Sequence, residues 1–256
     1  MLSILSPAKT MKFDYQNDAL SPTLPVFEKE SKVLVKELRK LSVPQLMELM
    51  SISEKLAKLN TDRFNNFKGS SQTEEAVQAL FAYRGDVYQG LEAMELSDSS
   101  LKNANAHLRI LTGLYGILRP SDLIEPYRLE MGIPLKVGKT KDLYEFWGDK
   151  VTRELEKAMK ETNSKYLVNL ASKEYSNVVD KGAFKDRWIE IEFKELRNGK
   201  LKFITFNAKK ARGQMARFII ENDSEKVSDL YSFSGGGYLY DEKGSTPGKL
   251  LFVKPE

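Results

Sequence analysis

The sequence contains no cysteine among its 256 residues and a single histidine, His107. Without cysteine, the chain cannot form a disulfide framework, a thiolate metal site, an iron–sulfur cluster or a cysteine nucleophile. One imidazole cannot make a histidine-rich metal site, and no Glu-x-x-His or His-Glu-x-x-His spacing places a carboxylate beside it. We therefore expect no bound metal and no cofactor.

Long apolar runs are absent as well. No stretch approaches the roughly 20 consecutive apolar residues that cross a bilayer. The first residues, MLSILSPAKTMKF, lack a charged leader and a cleavage site, so we expect a cytoplasmic protein that does not bind membranes. A chain that is 41% hydrophobic can bury a full core, and no repeat or low-complexity stretch divides it. We expect one domain over residues 1–256.

The formal net charge of +4 is small for a nucleic-acid-binding protein, because dedicated binders usually carry a strongly basic domain. The charges are nevertheless unevenly distributed along the chain. Acidic residues are concentrated at positions 28–37, 74–98 and 154–161, and several basic residues lie outside these stretches. A locally basic surface is therefore compatible with the modest total.

The first half of the sequence is predicted to be mostly helical. A short apolar strand at 2–5 ends at Ser6-Pro7 and leads Lys9 into a loop, where a polar side chain suits a functional site. Ser53 is a predicted N-cap. The predicted helices lie at 26–41, at 43–67 as two short helices joined at 51–53, in three segments beginning at Thr73, near Gly85 and at Ser97 or Asp98, and at 143–162.

The second half contains predicted strands. Residues 188–196 alternate apolar and charged side chains, and Asn198-Gly199 is a strong hairpin signal that turns the chain into a strand at 201–206. The other predicted elements are a strand at 166–171, a helix at 208–222, and a closing pair of strands at 238–240 and 250–253. Helices before and between short strands predict a mixed α/β or α+β fold.

Several segments together resemble a known family. They are LSPAKT at 5–10, GDVYQGL at 85–91, HLRILTGLYGILRPSDLIEPYRLEMG at 107–132, LYEFWGD at 143–149, NLAS at 169–172 and AKKARGQMARFIIEN at 208–222. In order and spacing they resemble the YaaA family of bacterial peroxide-stress proteins. The resemblance implies a single mixed α/β domain with a helix-hairpin-helix insert, a positively charged cleft that takes double-stranded DNA, and a role in limiting damage from hydrogen peroxide and free iron. It assigns no catalytic residues, because the family has no agreed reaction.

The predicted helix pair at about 43–67 is the candidate helix-hairpin-helix. Ser51 and Ser53 stand where that motif usually has glycines, and Lys55 occupies the position of its lysine. In such a motif, the amides of the turn and of the following helix N-terminus point at a phosphate. Glu54 is unfavourable there, and serine permits the turn less readily than glycine. The alternative is an ordinary helical pair that packs apolar side chains into the core: Leu49, Ile52 and Leu56.

Three arginines, at positions 109, 119 and 128, lie in an otherwise apolar, turn-rich segment. Arg109, Arg119 and Arg128 must each find a carboxylate or a phosphate, because an unpaired guanidinium near a core is costly. Internal partners are available along the same part of the chain: Asp122, Glu125, Glu130 and Asp149. We expect at least one of these arginines to be free and to line a cleft.

The helix after Asn207 carries a second basic group. Lys209, Lys210, Arg212 and Arg217 lie within nine residues that include no acid, so they repel one another unless an anion is near. Gly213 leaves a notch on this helix where a backbone or a ligand can approach closely. We expect these residues to converge with some of Lys9, Arg84, Arg109, Arg119 and Arg128 on one cleft that contacts duplex phosphates, with Ser51, Ser53 and Lys55 as a second contact.

An enzyme acting on a nucleotide, nucleic-acid or other anionic small-molecule substrate in the same cleft is the alternative function. Its candidate acids, bases and anion-binding groups are Lys9, Arg84, Asp86, Tyr88, Tyr127, Arg128, Glu130 and Asp149. No Gly-rich phosphate loop, nucleophile elbow or dinucleotide fingerprint is present. Because there is no peroxidatic thiol, we expect peroxide protection to act through a bound partner, DNA first and an iron-handling protein or metabolite second.

Overall fold

An eight-stranded sheet forms the centre of the computed structural model, which describes residues 1–73 and 75–256. Its strand order is β11-β12-β9-β8-β1-β5-β6, with β10 paired to β9. The strands, including short pairs outside this sheet, are β1 Leu2–Leu5, β2 Thr10–Met11, β3 Val77–Gln78, β4 Tyr83–Arg84, β5 Leu108–Thr112, β6 Gly116–Leu118, β7 Leu123–Ile124, β8 Leu167–Asn169, β9 Trp188–Arg197, β10 Lys200–Lys202, β11 Leu239–Thr246 and β12 Lys249–Lys254.

Helices connect the strands and cover the sheet. The α-helices are α1 Glu28–Leu38, α2 Val43–Met50, α3 Glu54–Asn66, α4 Ala79–Ala82, α5 Asp86–Leu91, α6 Asp98–His107, α7 Leu143–Trp147, α8 Lys150–Glu161, α9 Lys173–Ser176 and α10 Thr205–Glu221. Short 3₁₀ helices lie at Ser70–Gln72, Ala93–Glu95, Lys181–Ala183, Lys185–Arg187, Val227–Ser232 and Gly235–Gly237. Among the described residues, no helix is long and apolar enough to cross a membrane.

The central strands β12, β9, β8, β1 and β5 are parallel, and antiparallel strands close both edges. Parallel strands are covered on both faces, which explains why every residue of Leu2–Leu5 is buried. The fold is thus a single mixed α/β domain, as the sequence predicted.

The order of the strands reverses at β1. After β1 the chain passes to β5 on one side, and it later returns to β8 on the other side of β1 before continuing outward to β9 and β12. In open parallel sheets, such a reversal separates the connections that follow the two neighbouring strands. A crevice opens there, at the carboxyl ends of the strands.

Several predicted elements are confirmed. The strand at 2–5 and the helix starts near Gly85 and at Asp98 are present, and Ser53 caps α3 by accepting a hydrogen bond from the Leu56 amide at 3.4 Å. The hairpin turn is present too, with φ of 52° at Asn198 and 69° at Gly199.

Three predictions of local structure are wrong. The described residues after Thr73 form β3 and the four-residue α4, because Val77 pairs with Ile124 of β7. The helix predicted at 143–162 is split into α7 and α8 at Gly148, whose φ of +49° lies outside the helical region. The strand after the hairpin ends at Lys202, since α10 begins at Thr205.

The helix pair α2 and α3 has the predicted bounds, with Ser51 in the left-handed conformation at φ 49° between the two helices. Ile52 is buried, whereas Leu56 is exposed and does not join the core. The assignment of this pair as a nucleic-acid-binding helix-hairpin-helix stays a prediction.

Two glycines bring α5 and α10 into direct backbone contact. A Cβ at Gly213 would overlap the carbonyl oxygen of Val87, and a Cβ at Gly90 would overlap that of Lys210. The notch predicted at Gly213 is therefore filled by the backbone of α5. This contact fixes the start of α5, and with it Asp86, relative to the basic residues of α10.

Candidate functional site

A cavity of about 340 Å³ opens at the carboxyl ends of β1 and β8, where the strand order reverses. The ends of these two strands are joined, because the Ser172 amide donates a hydrogen bond to Ser6 Oγ at 2.9 Å. The walls come from the loop after β1, the start of α5, the 127–130 segment, the residues after β8 and the first turns of α10. We call this feature the cleft.

Separate parts of the sequence supply basic side chains to the cleft. Its lining includes Lys9 from the loop after β1, Arg84 from β4, Arg128, and both Lys209 and Arg212 from α10. Lys210 is exposed on the same helix beside Lys209 but does not line the cavity. The convergence results from the sheet topology, which places the loop after the first strand opposite a helix two hundred residues later.

Glu130 is the acidic centre of this basic lining. Its Oε1 atom accepts hydrogen bonds from Arg128 Nε at 3.1 Å and from an Arg128 terminal nitrogen at 2.9 Å, and it lies 3.3 Å from Lys9 Nζ. The Glu130 side chain is only 10% exposed. Its other oxygen, Oε2, is buried and has no hydrogen-bond partner among the described residues.

Arg212 is the second side chain with an unused polar atom. Its Nε is buried without a hydrogen-bond partner among the described residues. Burial lowers the pKa of the guanidinium, and the Glu190 carboxylate opposes this effect. Because an arginine stays charged at neutral pH even so, Arg212 presents a partly desolvated cation to the cleft.

Backbone carbonyls and one carboxylate hold the Arg84 side chain in place. Its guanidinium donates to the backbone carbonyls of Phe81 and Tyr83 and lies 3.7 Å from an oxygen of Asp14. The side chain is one quarter exposed. These carbonyl contacts orient Arg84 without neutralising it.

Hydrogen-bonded tyrosines support the floor of the cleft. The Tyr83 and Tyr127 hydroxyls are 2.6 Å apart, and the Tyr88 hydroxyl donates to the Ser6 carbonyl at 3.2 Å. Burial raises the pKa of Tyr127 to about 12 and raises those of Tyr83 and Tyr88 well above the usual value. The phenols are therefore neutral at physiological pH, so they add no negative charge to the cleft.

Three arginines assigned from sequence to the basic surface lie elsewhere and have internal partners. Arg109 is buried and donates to the carbonyls of Asn105, Ala106 and Leu108 at the end of α6. Arg119 binds Asp122 Oδ1 through two nitrogens at 2.9 and 3.0 Å. Arg217 is paired with three carboxylates: Glu92, Glu95 and Glu221. The expectation that they line the cleft is corrected, because nearby carbonyls and carboxylates satisfy them. Arg128 does line the cleft but is paired with Glu130, so the expectation of a free arginine among Arg109, Arg119 and Arg128 is wrong.

Some of the remaining predicted residues line the cleft and others lie elsewhere. Ser51, Ser53 and Lys55 are exposed at the α2–α3 turn and do not line the cleft. Asp149 lies between α7 and α8, where it pairs with Arg153. Among the candidate acids and bases, the cleft is lined by Asp86, Tyr127 and Glu130.

Sequence reasoning missed the residues that follow β8. Ser172, Glu174 and Tyr175 line the cleft beside Leu170. Their signal is the same one that singled out Lys9, a polar residue directly after an apolar strand. The described residues contain no group of three or more histidine, aspartate or glutamate side chains that could hold a metal ion.

Fold and site together define a mixed α/β protein with a basic cleft at the strand-order reversal. A family model described as "Peroxide stress protein YaaA" matches residues 1–244. A curated relative from Shewanella denitrificans, described as "UPF0246 protein", is 46% identical over 256 residues, which cover 100% of this chain and 99% of that protein. The chain therefore belongs to the YaaA family of peroxide stress proteins, as its motifs indicated.

Proposed function

We propose that this protein binds double-stranded DNA at the cleft during peroxide stress and so limits the damage linked to free intracellular iron. The observation that carries the proposal is the convergence of Lys9, Arg84, Arg128, Lys209 and Arg212 on one opening. Phosphate contacts dominate the affinity of proteins for DNA, and clustered lysines and arginines supply them.

The exposed members of the cluster are the proposed phosphate contacts. Lys9 is 67% exposed on its side chain, and Lys209 and Lys210 are exposed on α10. These ammonium groups can reach a strand that lies across the opening. Arg84 and Arg128 are more buried and lie in the wall, where the Glu130 carboxylate pairs with Arg128 and offsets its charge.

The α2–α3 turn is the proposed second contact. Ser51 adopts the left-handed conformation that the motif's glycine would favour, and Ser53 begins α3 beside the exposed Lys55. Glu54 would repel a phosphate, but its carboxylate lies 2.7 Å from Lys58 Nζ. A backbone phosphate at this helix N-terminus would meet amide groups and Lys55.

A second candidate function is catalysis on an anionic small molecule. It is favoured by the position of the cavity, because α/β proteins bind small ligands at such strand-order reversals and pockets of roughly 300–1,000 Å³ hold them. Glu130 and Asp86 would be the candidate acid–base groups, with Arg212 and Lys209 as anion-binding groups. Saturable binding of one small anion without duplex binding would favour this function.

The salt dependence of duplex binding tests the first proposal. Lys209 and Lys210 are exposed, so replacing both with alanine should leave the fold intact. If each contacts one phosphate, affinity should fall for every DNA sequence, and the slope of log K against log salt should decrease by about two units. Fluorescence anisotropy at several salt concentrations measures both quantities.

The matched control removes the same charge from α8, none of whose residues line the cleft. Lys157 and Lys160 are exposed there, and their double alanine variant should bind as the wild type does. Equal affinity and slope in the α10 variant and the wild type would exclude this helix from the DNA-binding surface.

A further inference from the structure

We propose that the cleft takes up a single unpaired nucleotide, turned out of the DNA strand that lies across its opening. This inference rests on the proposed DNA binding and names the part of the nucleic acid that enters the cavity. It follows from the size of the cavity and from the opposite hydrogen-bonding roles of two buried atoms.

The cavity is the wrong size for a duplex and the right size for one nucleotide. About 340 Å³ lies at the small end of the range in which proteins hold small ligands. A double helix can therefore only lie across the opening, in reach of Lys9, Lys209 and Lys210. What enters must be a single unit detached from the base stack.

Two residues that line the cleft, Arg212 and Glu130, each have a buried polar atom with no partner among the described residues, and these atoms require different groups from the ligand. Arg212 Nε carries a hydrogen and needs an acceptor, whereas Glu130 Oε2 is a carboxylate oxygen beside Arg128 and needs a donor. A phosphodiester backbone offers acceptors alone, so it can satisfy Arg212 but not the carboxylate. Every nucleobase carries both a donor and an acceptor on its pairing edge.

Apolar residues also line the cleft and suit the faces of a base. Val87, Leu129 and Leu170 line the cavity together with the ring of Tyr127. Enzymes that extrude a base read its pairing edge by hydrogen bonds while apolar and aromatic side chains cover its faces. The same two kinds of group are combined here at the carboxyl edge of the sheet.

Fluorescence of 2-aminopurine tests the inference, because stacking quenches this base. The probe is a duplex with one 2-aminopurine placed in a mismatch, titrated with the full-length protein while anisotropy follows binding. We expect the fluorescence to rise severalfold at saturation. A duplex that binds with no change in fluorescence overturns the inference and leaves the proposed DNA binding intact.

Variants of Arg212 and Glu130 test whether the rise in 2-aminopurine fluorescence comes from a base in the cleft. Arg212→Met removes the donor and keeps an apolar stem, and Glu130→Gln replaces the charged acceptor with an amide. Arg212→Met is expected to weaken duplex binding as well, so the two variants are compared with the wild type at protein concentrations where anisotropy shows a saturated duplex. At saturation each should lose most of the fluorescence rise. Thermal melting verifies that each variant folds. Glu130→Asp retains a carboxylate, so it should recover part of the fluorescence rise if Glu130→Gln loses the rise because it lacks the carboxylate. It should recover none if the cause is altered packing.

The remaining outcomes separate the two proposals. If neither matched nor mismatched duplex binds, both proposals fail. Thermal shifts with free mononucleotides would then show whether the cavity binds them as a small-molecule site. A full fluorescence rise in both variants would place the extruded base outside the cleft and would overturn the inference.

Discussion

At the scale of single residues, His107 connects the end of α6 to β1 and to Ser164. Its Nδ1 lies 3.3 Å from Ser164 Oγ, and its backbone carbonyl accepts a hydrogen bond from Ser3 Oγ in β1. Burial lowers the pKa of the imidazole below its usual 6.5, helped by the N-terminal ammonium and Arg109 and opposed by Asp223. The folded protein therefore holds the neutral imidazole.

The sign of the resulting pH dependence follows from proton binding. The unfolded chain takes up the proton first as the pH falls, so protonation favours unfolding. Stability contributed by neutral His107 is complete above pH 6.5 and is lost as the pH falls below that value toward the lower folded pKa.

We expect His107→Asn to lose less stability than the wild type between pH 7 and pH 5 because it lacks this titration. Urea unfolding at several pH values measures the difference, and no other histidine contributes because the sequence has only one. Parallel pH profiles for the two proteins would contradict the assignment.

The residue types of the site could be predicted from sequence, but their partners could not. Lys9 was found because it follows a short apolar strand, and the basic group of α10 because no acid interrupts it. Arg217 illustrates what sequence cannot predict. Its partners Glu92 and Glu95 are more than one hundred residues away in the sequence, and they contact it only because α5 packs on α10. Arg109 is satisfied by carbonyls, whose orientation a sequence pattern does not reveal.

At the scale of elements, the contact between α5 and α10 holds one wall of the cleft. Gly213→Ala would place a methyl group against the Val87 carbonyl, so the helices must separate. The usual gain of about 1 kcal/mol for alanine in a helix is smaller than this clash. We expect a net loss of about 1–3 kcal/mol, the range typical of overpacking.

Chemical denaturation measures the free energy of unfolding of this variant. Lys209→Ala, at an exposed position of the same helix, is the control for helical propensity. A Gly213→Ala protein as stable as the wild type would show that the two helices are not in the described contact.

Two of the misassigned elements have different physical causes. Gly148 has no side chain to oppose a positive φ, so it ends α7 inside a pattern that otherwise continues as helix. Residues 77–78 form a strand through pairing with β7, a contact made across more than forty residues. Local periodicity predicts neither outcome, because one is decided by the backbone conformation of a single glycine and the other by a partner strand.

At the scale of the whole molecule, the cleft is a consequence of strand order. The sequence predicted strands at both ends of the chain but contained no signal for the order in which they lie side by side. The position of β8 beside β1 brings Ser172 to Ser6 and places α10 over the loop that carries Lys9. Residues from opposite ends of the chain thereby share one opening.

The central claim is that duplex DNA lies across this opening, and lysine reactivity in the presence and absence of DNA tests it most directly. The protein is reductively methylated with and without a saturating duplex, and mass spectrometry compares each lysine. We predict protection of Lys9, Lys209 and Lys210, with Lys157 and Lys160 on α8 modified equally in both samples. Full reactivity of Lys9, Lys209 and Lys210 in the DNA-bound protein would contradict the account.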